Sequence, residues 1–492
     1  MKIMADVTSD GAPPSGRQPA AAAGSSDGAT PAWRAAIGLV VAYLCLHAVY
    51  ATLRQQALFA DGAAVLLRVA ASRGFSVLDW PRAVADVAIE WPAVLATRLG
   101  VHDLKTLSYL LGVGYQYLPI VALGLSWRLL PEARKALILF PVLSLLFGWM
   151  ATRFAPIIQG NMFAAWVWPA LFVLLYGRLR TRRDVAVVVA VALPLFALYE
   201  TILLLGPLLA AVAAMRWRRH GRRPHRWVWL AVGAWFLAAA AFALYFALYP
   251  RNPGNRANFL WGLETGSFLM AADGSSVNWP LALALAGAPV LGLAAWRPAL
   301  ARATLPYWLP PLALFAGFVA LAPILSPSTF RPFVQVMAGT VASLLPVVLA
   351  PLSLWADAVG WRPGATTRRL LTLVLLLIAT AQITWHMAAT AQWAGFLSVY
   401  RATLAERSGL VAFEATPMAQ PRIGIQVLQP LTWGWTNPWV SVALAPGGRV
   451  VAIVGNAGGG PSGDLDPTRP GGLLPIAGVD YGPFVAAVGQ PR

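Results

Sequence analysis

Between residues 178 and 226 the chain reads RLRTRRDVAVVVAVALPLFALYETILLLGPLLAAVAAMRWRRHGRRPHR. The apolar middle, Val185–Met215, is about 31 residues long. One crossing of the roughly 30 Å hydrocarbon layer takes about 20. Arg178, Arg180, Arg182 and Arg183 precede it, and Arg216, Arg218, Arg219, Arg222, Arg223 and Arg226 follow it. Arginines next to a span stay on the cytoplasmic side, so both clusters belong there. The segment must therefore go in and come back, as two short helices turning near Tyr199–Glu200. Irregular backbone at such a turn is tolerated where it lines a cavity or is buried in protein. Glu200 is then an ionisable group at membrane depth, where it either lines a cavity or caps the turn.

Other apolar runs continue the pattern on both sides. They are Ala35–Leu53, Leu107–Leu129, Ala136–Ala151, Ile158–Tyr176, Trp227–Tyr249, Pro280–Trp296, Tyr307–Leu325, Val334–Trp355 and Leu370–Thr390. Composition agrees: 58% of the 492 residues are hydrophobic and only 11% are charged. A soluble domain carries about 25% charge, so a soluble enzyme, a disordered chain and a fibre are all excluded. The expected fold is an all-α polytopic membrane bundle of about eleven membrane helices, with the hairpin counted as two. Residues 1–32, rich in Ala, Gly, Ser and Pro, read as a disordered cytoplasmic tail rather than a signal peptide.

The net charge of +18 sorts by side. With a cytoplasmic N-terminus, the inner segments hold 21 Lys/Arg against 6 Asp/Glu, and the outer ones 16 against 13. The basicity thus records orientation, not a nucleic-acid partner. The inner arginines also suit contacts with anionic membrane lipids. The lone cysteine, Cys45, has no partner for an internal disulfide, and no Cys/His spacing suits structural zinc.

Residues 54–106 form the first outer loop and hold five acids: Asp61, Asp79, Asp86, Glu90 and Asp103. Ala63–Ala71 and Ala83–Leu99 carry apolar residues at helical spacing with charges between, as interfacial helices do. Asp61 stands before the first of them. It is a helix cap, a site carboxylate, or both. Asp86 and Glu90, four apart, share one helical face, which is a solvated side or the wall of a site. Beyond Thr390 the tail begins as helix and then changes period. IGIQVLQPL, WVSVALA and RVVAIVG read as short strands between Gly/Pro loops, giving a small α+β or β-rich periplasmic domain over 391–492. Trp261, Trp279, Trp393 and Trp433 sit at outer positions that suit an interface belt or stacking on sugar rings.

The order of these parts resembles the GT-C class of integral-membrane glycosyltransferases. The resemblance rests on LFADGAAVLLRVAASRGF (58–75), on the short helices holding YETILLLGPLLAA (199–211), and on FRPFVQVMAG (330–339), which opens a late span. It covers residues 33–390. It implies a bacterial inner-membrane enzyme that moves a sugar from a polyprenyl-phosphate donor to a lipid, glycan or protein acceptor at the periplasmic face. Ala/Arg/Gly/Pro-rich usage fits a bacterial source. By the resemblance, Asp61 matches the catalytic acid of the first loop, and Arg331, with Arg153 second, fits the leaving phosphate. Glu90, Asp86 and Glu200 are secondary acids. The chain lacks the doubled acid of some members, since Gly62 follows Asp61, which leaves a divalent metal possible but unsupported; no cofactor is expected. Two other classes are open: a transporter or flippase, which needs interior charges on several spans, and a non-catalytic scaffold presenting the tail.

Overall fold

The structure is a computed structural model that describes residues 31–59, 61–77, 79–150, 159–219, 225–250, 345–347, 349–358, 360–361, 365–407, 409–419, 436–454, 465 and 472–488. Among these, the fold is mostly helical with little strand, and four helices are long and apolar enough to cross a membrane. They are α1 (Pro31–Leu53), α4 (Leu104–Leu129), α9 (Trp227–Leu248) and α10 (Ala365–Glu406). Between α1 and α4 lie α2 (Gly62–Ser72) and α3 (Ala83–Arg98), the two short helices expected in the first loop. Then come α5 (Leu139–Ser144), α6 (Gln159–Tyr176), α7 (Arg182–Ala192) and α8 (Ile202–Arg219). The tail adds α11 (Asn437–Leu444) and α12 (Gly482–Val488).

The hairpin forms where the arginine pattern places it. Thr181 and Asp184 make a reciprocal capping box that starts α7. A 3-10 segment, Leu193–Ala197, follows at Pro194, and α8 begins at Ile202. At 1.5 and 2.0 Å per residue, the descending arm is roughly 26 Å long and α8 roughly 27 Å. Gly206 and Gly233 let α8 and α9 approach closely. A Cβ on Gly206 would meet the Phe236 carbonyl oxygen at 2.7 Å, and one on Gly233 would meet the Ala213 Cβ at 3.4 Å. At the far end of the pair the Trp217 and Trp227 rings lie 5.9 Å apart, so α8 and α9 run antiparallel.

Polar contacts sort the connections into two ends. At one end Arg34 pairs with Glu132 at 2.8 Å, Arg134 pairs with Asp357 at 3.0 Å, and Arg216 donates to the Gly177 carbonyl at 2.6 Å. That last bond brings the two arginine clusters of the hairpin side by side. At the other end, Arg82 of the first loop pairs with Glu200 of the hairpin turn at 2.7 Å. Arg401, late in α10, donates to the Gln55 amide oxygen just after α1. The helices α1 and α10 run parallel, with Tyr43 against Thr384 (2.6 Å), His47 against His386 (5.7 Å between rings) and the Gln55 carbonyl against the Trp393 indole (3.1 Å). The first loop and the end of α10 therefore share a side. Lone apolar side chains face outward along α1 (Leu39, Leu46, Leu53) and α10 (Leu370, Leu373, Leu377), as a lipid-facing stripe requires.

Two expectations change. Ala136–Ala151 is not one continuous crossing helix over its described part. It breaks into a 3-10 stretch (Glu132–Ile138), α5 and a π turn (Leu145–Trp149). Pro141 has no N–H for the helical ladder, and the Gln382 amide donates to the Met150 carbonyl just past the π turn at 2.6 Å. WVSVALA is not a strand but most of α11, whose eight residues are all buried. An apolar run covered on every side carries no period, and Pro438 in the first turn fits a helix start. Described strand in the tail is limited to Leu410–Ala412 paired in parallel with Ala452–Val454. The runs Pro280–Trp296 and Tyr307–Leu325 and the stretch IGIQVLQPL lie outside the described residues.

Candidate functional site

Asp61 opens α2, and its carbonyl accepts the Val65 N–H at 2.9 Å. Its side chain caps nothing: no N–H of the first turn donates to it, and Oδ1 is buried without a hydrogen-bond partner. Side-chain caps are made at α4 and α7. Asp103 accepts the Thr106 N–H at 2.8 Å and the Lys105 N–H at 3.4 Å ahead of α4. The capping role is thus not realised at Asp61, and a buried carboxylate oxygen without a partner is costly unless something else meets it. Burial pushes the Asp61 carboxyl above its usual value, while Arg82 and then Arg68 pull it back.

The loop leading to Asp61 is pinned at Gln55, a non-glycine residue in the left-handed region (φ 54°). Its amide donates to Ser108 at 2.7 Å, its amide oxygen accepts from Arg401, and its carbonyl accepts from the Trp393 indole. Gln56 accepts from Gln116 at 2.9 Å. Trp393 is 1% exposed and stacks on Phe396, so its ring is spent on packing, not on a sugar. Trp261, Trp279 and Trp433 lie outside the described residues.

The secondary acids are not a solvated face. Asp86 is 4% exposed and Glu90 1%, because α2, α4 and α6 all cover α3. Asp86 accepts from the Gln159 amide at 2.9 Å, and Glu90 accepts the Ser76 N–H at 2.6 Å. Burial pushes Glu90 up to about 8; the Ser76 bond opposes this, Asp86 adds to it, and Arg68 opposes it. The sign of the consequence is fixed. From about 4.5, its ordinary value, to about 8, folded Glu90 holds a proton that the unfolded chain has lost. Stability therefore falls as pH rises through that window. Glu90→Gln should remove this part of the pH dependence and raise the melting temperature near pH 8. A variant whose melting curve keeps the wild-type slope between those values contradicts the assignment.

Glu200 lies in the turn between the hairpin arms. Its Oε1 accepts from Arg82 Nε at 2.7 Å, and its Oε2 is buried without a partner. Arg82 belongs to a 3-10 turn, Trp80–Arg82, that packs on Leu193–Ala197 and on α9. Its guanidinium lies over the Tyr199 ring at 5.1 Å, with Nη1 3.8 Å from Asp79. On α2, Arg68 lies over the Trp439 ring of α11 at 5.3 Å. The C-terminal segment thus packs directly on the helix that Asp61 heads.

Arg68 favours the charged form of both Asp61 and Glu90, and Arg82 favours that of Asp61 while pairing with Glu200. Arg153 and Arg331 lie outside the described residues. Sequence reading missed Arg68, Arg82, Gln55 and Arg401. The available signal was simple: cations inside an acid-rich loop whose partners must be found somewhere. Among the described residues, no group of three or more His, Cys, Asp or Glu is arranged to hold a metal ion.

Chemically, the site offers a half-buried carboxylate with one unpartnered oxygen, whose charge Arg82 and Arg68 favour. That set can accept a proton and stabilise negative charge. No family model, curated protein or solved structure matches the chain.

Proposed function

We propose that the chain is a membrane glycosyltransferase that moves a sugar from a polyprenyl-phosphate donor to a lipid, glycan or protein acceptor at the outer face of a bacterial inner membrane. The observation that carries the reading is Asp61: half-buried, not used as a cap, with its buried Oδ1 unpartnered and its charge favoured by Arg82 and Arg68. In the transfer, the Asp61 carboxylate takes the proton of the acceptor hydroxyl. The acceptor oxygen bonds to the anomeric carbon, and the bond from that carbon to the donor phosphate oxygen breaks with its electron pair on the phosphate. A carboxyl raised by burial and restrained by arginines suits this task, since a base works best with a value near the working pH. Arg331, with Arg153 second, is assigned to the leaving phosphate.

The sorting of polar contacts into two ends supports the finer topology. That topology has about eleven membrane helices, the N-terminus in the cytoplasm, and the loop 54–106 and the segment 391–492 outside. Every contact at the Arg34–Glu132 end joins connections assigned to the cytoplasm, the Arg401–Gln55 contact joins two assigned outside, and Arg82–Glu200 joins the outer loop to the hairpin turn.

The test uses the full chain in lipid nanodiscs with short-chain polyprenyl-phosphate sugars, one sugar at a time. Release of free polyprenyl phosphate from one donor is expected. Release from none, by a well-folded preparation supplied with membrane extract as acceptor, overturns the reading.

A further inference from the structure

The helix α3 carries its charges on the side opposite to that of a helix in water. Asp86 and Glu90 are buried, while the exposed residues between Ala83 and Leu95 are Val87, Trp91 and Leu95, all apolar. An amphipathic helix at an aqueous surface shows the reverse. We propose that α3 stands upright beside α4 and enters the bilayer through the headgroup layer, with Val87 and Trp91 against the acyl chains of the leaflet where α1 ends. That is the outer leaflet in the topology proposed above.

The packing of α3 on α4 gives the upright direction. Residues 99–103 join the two helices. Nine residues back from Arg98, the Ile89 carbonyl lies against Gly114, ten residues into α4, with no room there for a Cβ. At 1.5 Å per residue, each helix has then run roughly 14–15 Å from the link, and the two still touch. A helix lying flat on the membrane would have left α4 by that distance. The pair is therefore antiparallel, and its register sets Arg98 near Lys105 and Trp91 near Gly112.

The height follows from which side chains are exposed. Around the start of α4, His102, Asp103, Lys105 and Thr106 are exposed and polar; the next exposed residues are Val113 and Val121. At the matching level, α3 changes from the exposed Arg98 to the exposed Trp91 and Val87. The end of α1 makes the same change, from Val49 and Leu53 to Arg54. It is level with this part of α4, since a Cβ on Gly112 would lie 3.4 Å from Thr52 and Gln55 donates to Ser108 at 2.7 Å. Three helices thus pass from polar to apolar exposure at one height. The apolar face of α3 is continuous in height with the lipid-facing residues of α1, which names lipid as what covers it.

Beyond Ile89, the first six residues of α3 run roughly 9 Å deeper. There Asp86 meets Gln159 at the head of α6, and Arg82, just before α3, meets Glu200 in the turn of the hairpin. A carboxylate facing acyl chains is costly, so both acids of α3 turn inward. Part of the first loop is on this account a wall of the membrane domain, and not a lid lying on its surface.

The measurement is spin-label accessibility on the full chain in nanodiscs, in a Cys45→Ser background that removes the one native cysteine. Labels are placed singly through Val87→Cys, Trp91→Cys, Leu95→Cys and Leu99→Cys. Leu39→Cys, on the lipid-facing side of α1, and Arg180→Cys, in an exposed basic connection, are the references. Molecular oxygen concentrates among acyl chains, whereas a neutral nickel chelate stays in water. The oxygen-to-nickel collision ratio should approach that of Leu39→Cys at residue 87, fall along the stripe, and be several-fold lower at residue 99, roughly 18 Å higher. Equal ratios at 87 and 99 mean a flat helix, and a ratio at 87 like that of Arg180→Cys means water; either overturns the proposal. Weak collision with both reagents at 87 and 91 means that a protein covers the stripe, and overturns it as well. Should one label disturb the fold, the other positions still define the gradient. No substrate enters the measurement, so its outcome is independent of the transfer reading, which turnover reports.

Discussion

Gly114→Val is expected to abolish the folded protein or lower its melting temperature more than any other single change considered. Gly114 sits on α4 where α3 crosses it. A Cβ there would lie 1.9 Å from the Ile89 carbonyl oxygen and 2.8 Å from its carbon. Both atoms are backbone, so no rotamer change relieves the clash and α3 itself must move. Overpacking a tight interior costs about 1–3 kcal/mol when side chains can adjust, and more when they cannot. Glu90 follows Ile89 directly, so any retreat of α3 also pulls Glu90 from Ser76 and Asp86 from Gln159. The control is on the same helix: a Cβ on Gly124 would meet nothing within 4 Å, so Gly124→Ala should be nearly neutral. Thermal unfolding in detergent, followed by size-exclusion profile, reads both. Equal melting temperatures for the two variants would mean that α3 and α4 are not in this contact.

Asp61→Asn should show the opposite pattern, with the fold kept and the activity lost. The Asp61 side chain caps nothing, so the change removes no helix cap. The charge that burial disfavours disappears, so stability should hold or rise slightly at neutral pH. An amide cannot accept the acceptor's proton, and removing a general base costs about 10²–10⁴-fold in rate. The combination of unchanged melting, retained donor binding and lost turnover separates a working carboxylate from a structural one.

Much of this architecture is legible in the sequence for identifiable reasons. Doubled arginine clusters around a run too long for one crossing forced the hairpin, and its turn falls at Leu198–Thr201, around the expected Tyr199–Glu200. Helical spacing placed α2 and α3 within a residue of their ends. What escaped depends on tertiary partners. The break between residues 132 and 149 leaves only Pro141 as a local trace, and the π turn faces Gln382, which lies 232 positions from Met150. Asp86 and Glu90 look amphipathic in isolation, and only the packing of three other helices buries them. Arg82 is one of several loop cations until its partner Glu200 is seen across the fold. WVSVALA alternates like a strand, but a fully enclosed run has no exposed face for alternation to report.

The most direct test of the central claim is the turnover number of wild type against Asp61→Asn in nanodiscs, at saturating polyprenyl-phosphate sugar, read as free polyprenyl phosphate. The account predicts turnover at least about 100-fold lower in the variant, with donor affinity and melting temperature preserved. Turnover within a few fold of wild type in a folded Asp61→Asn protein would contradict it.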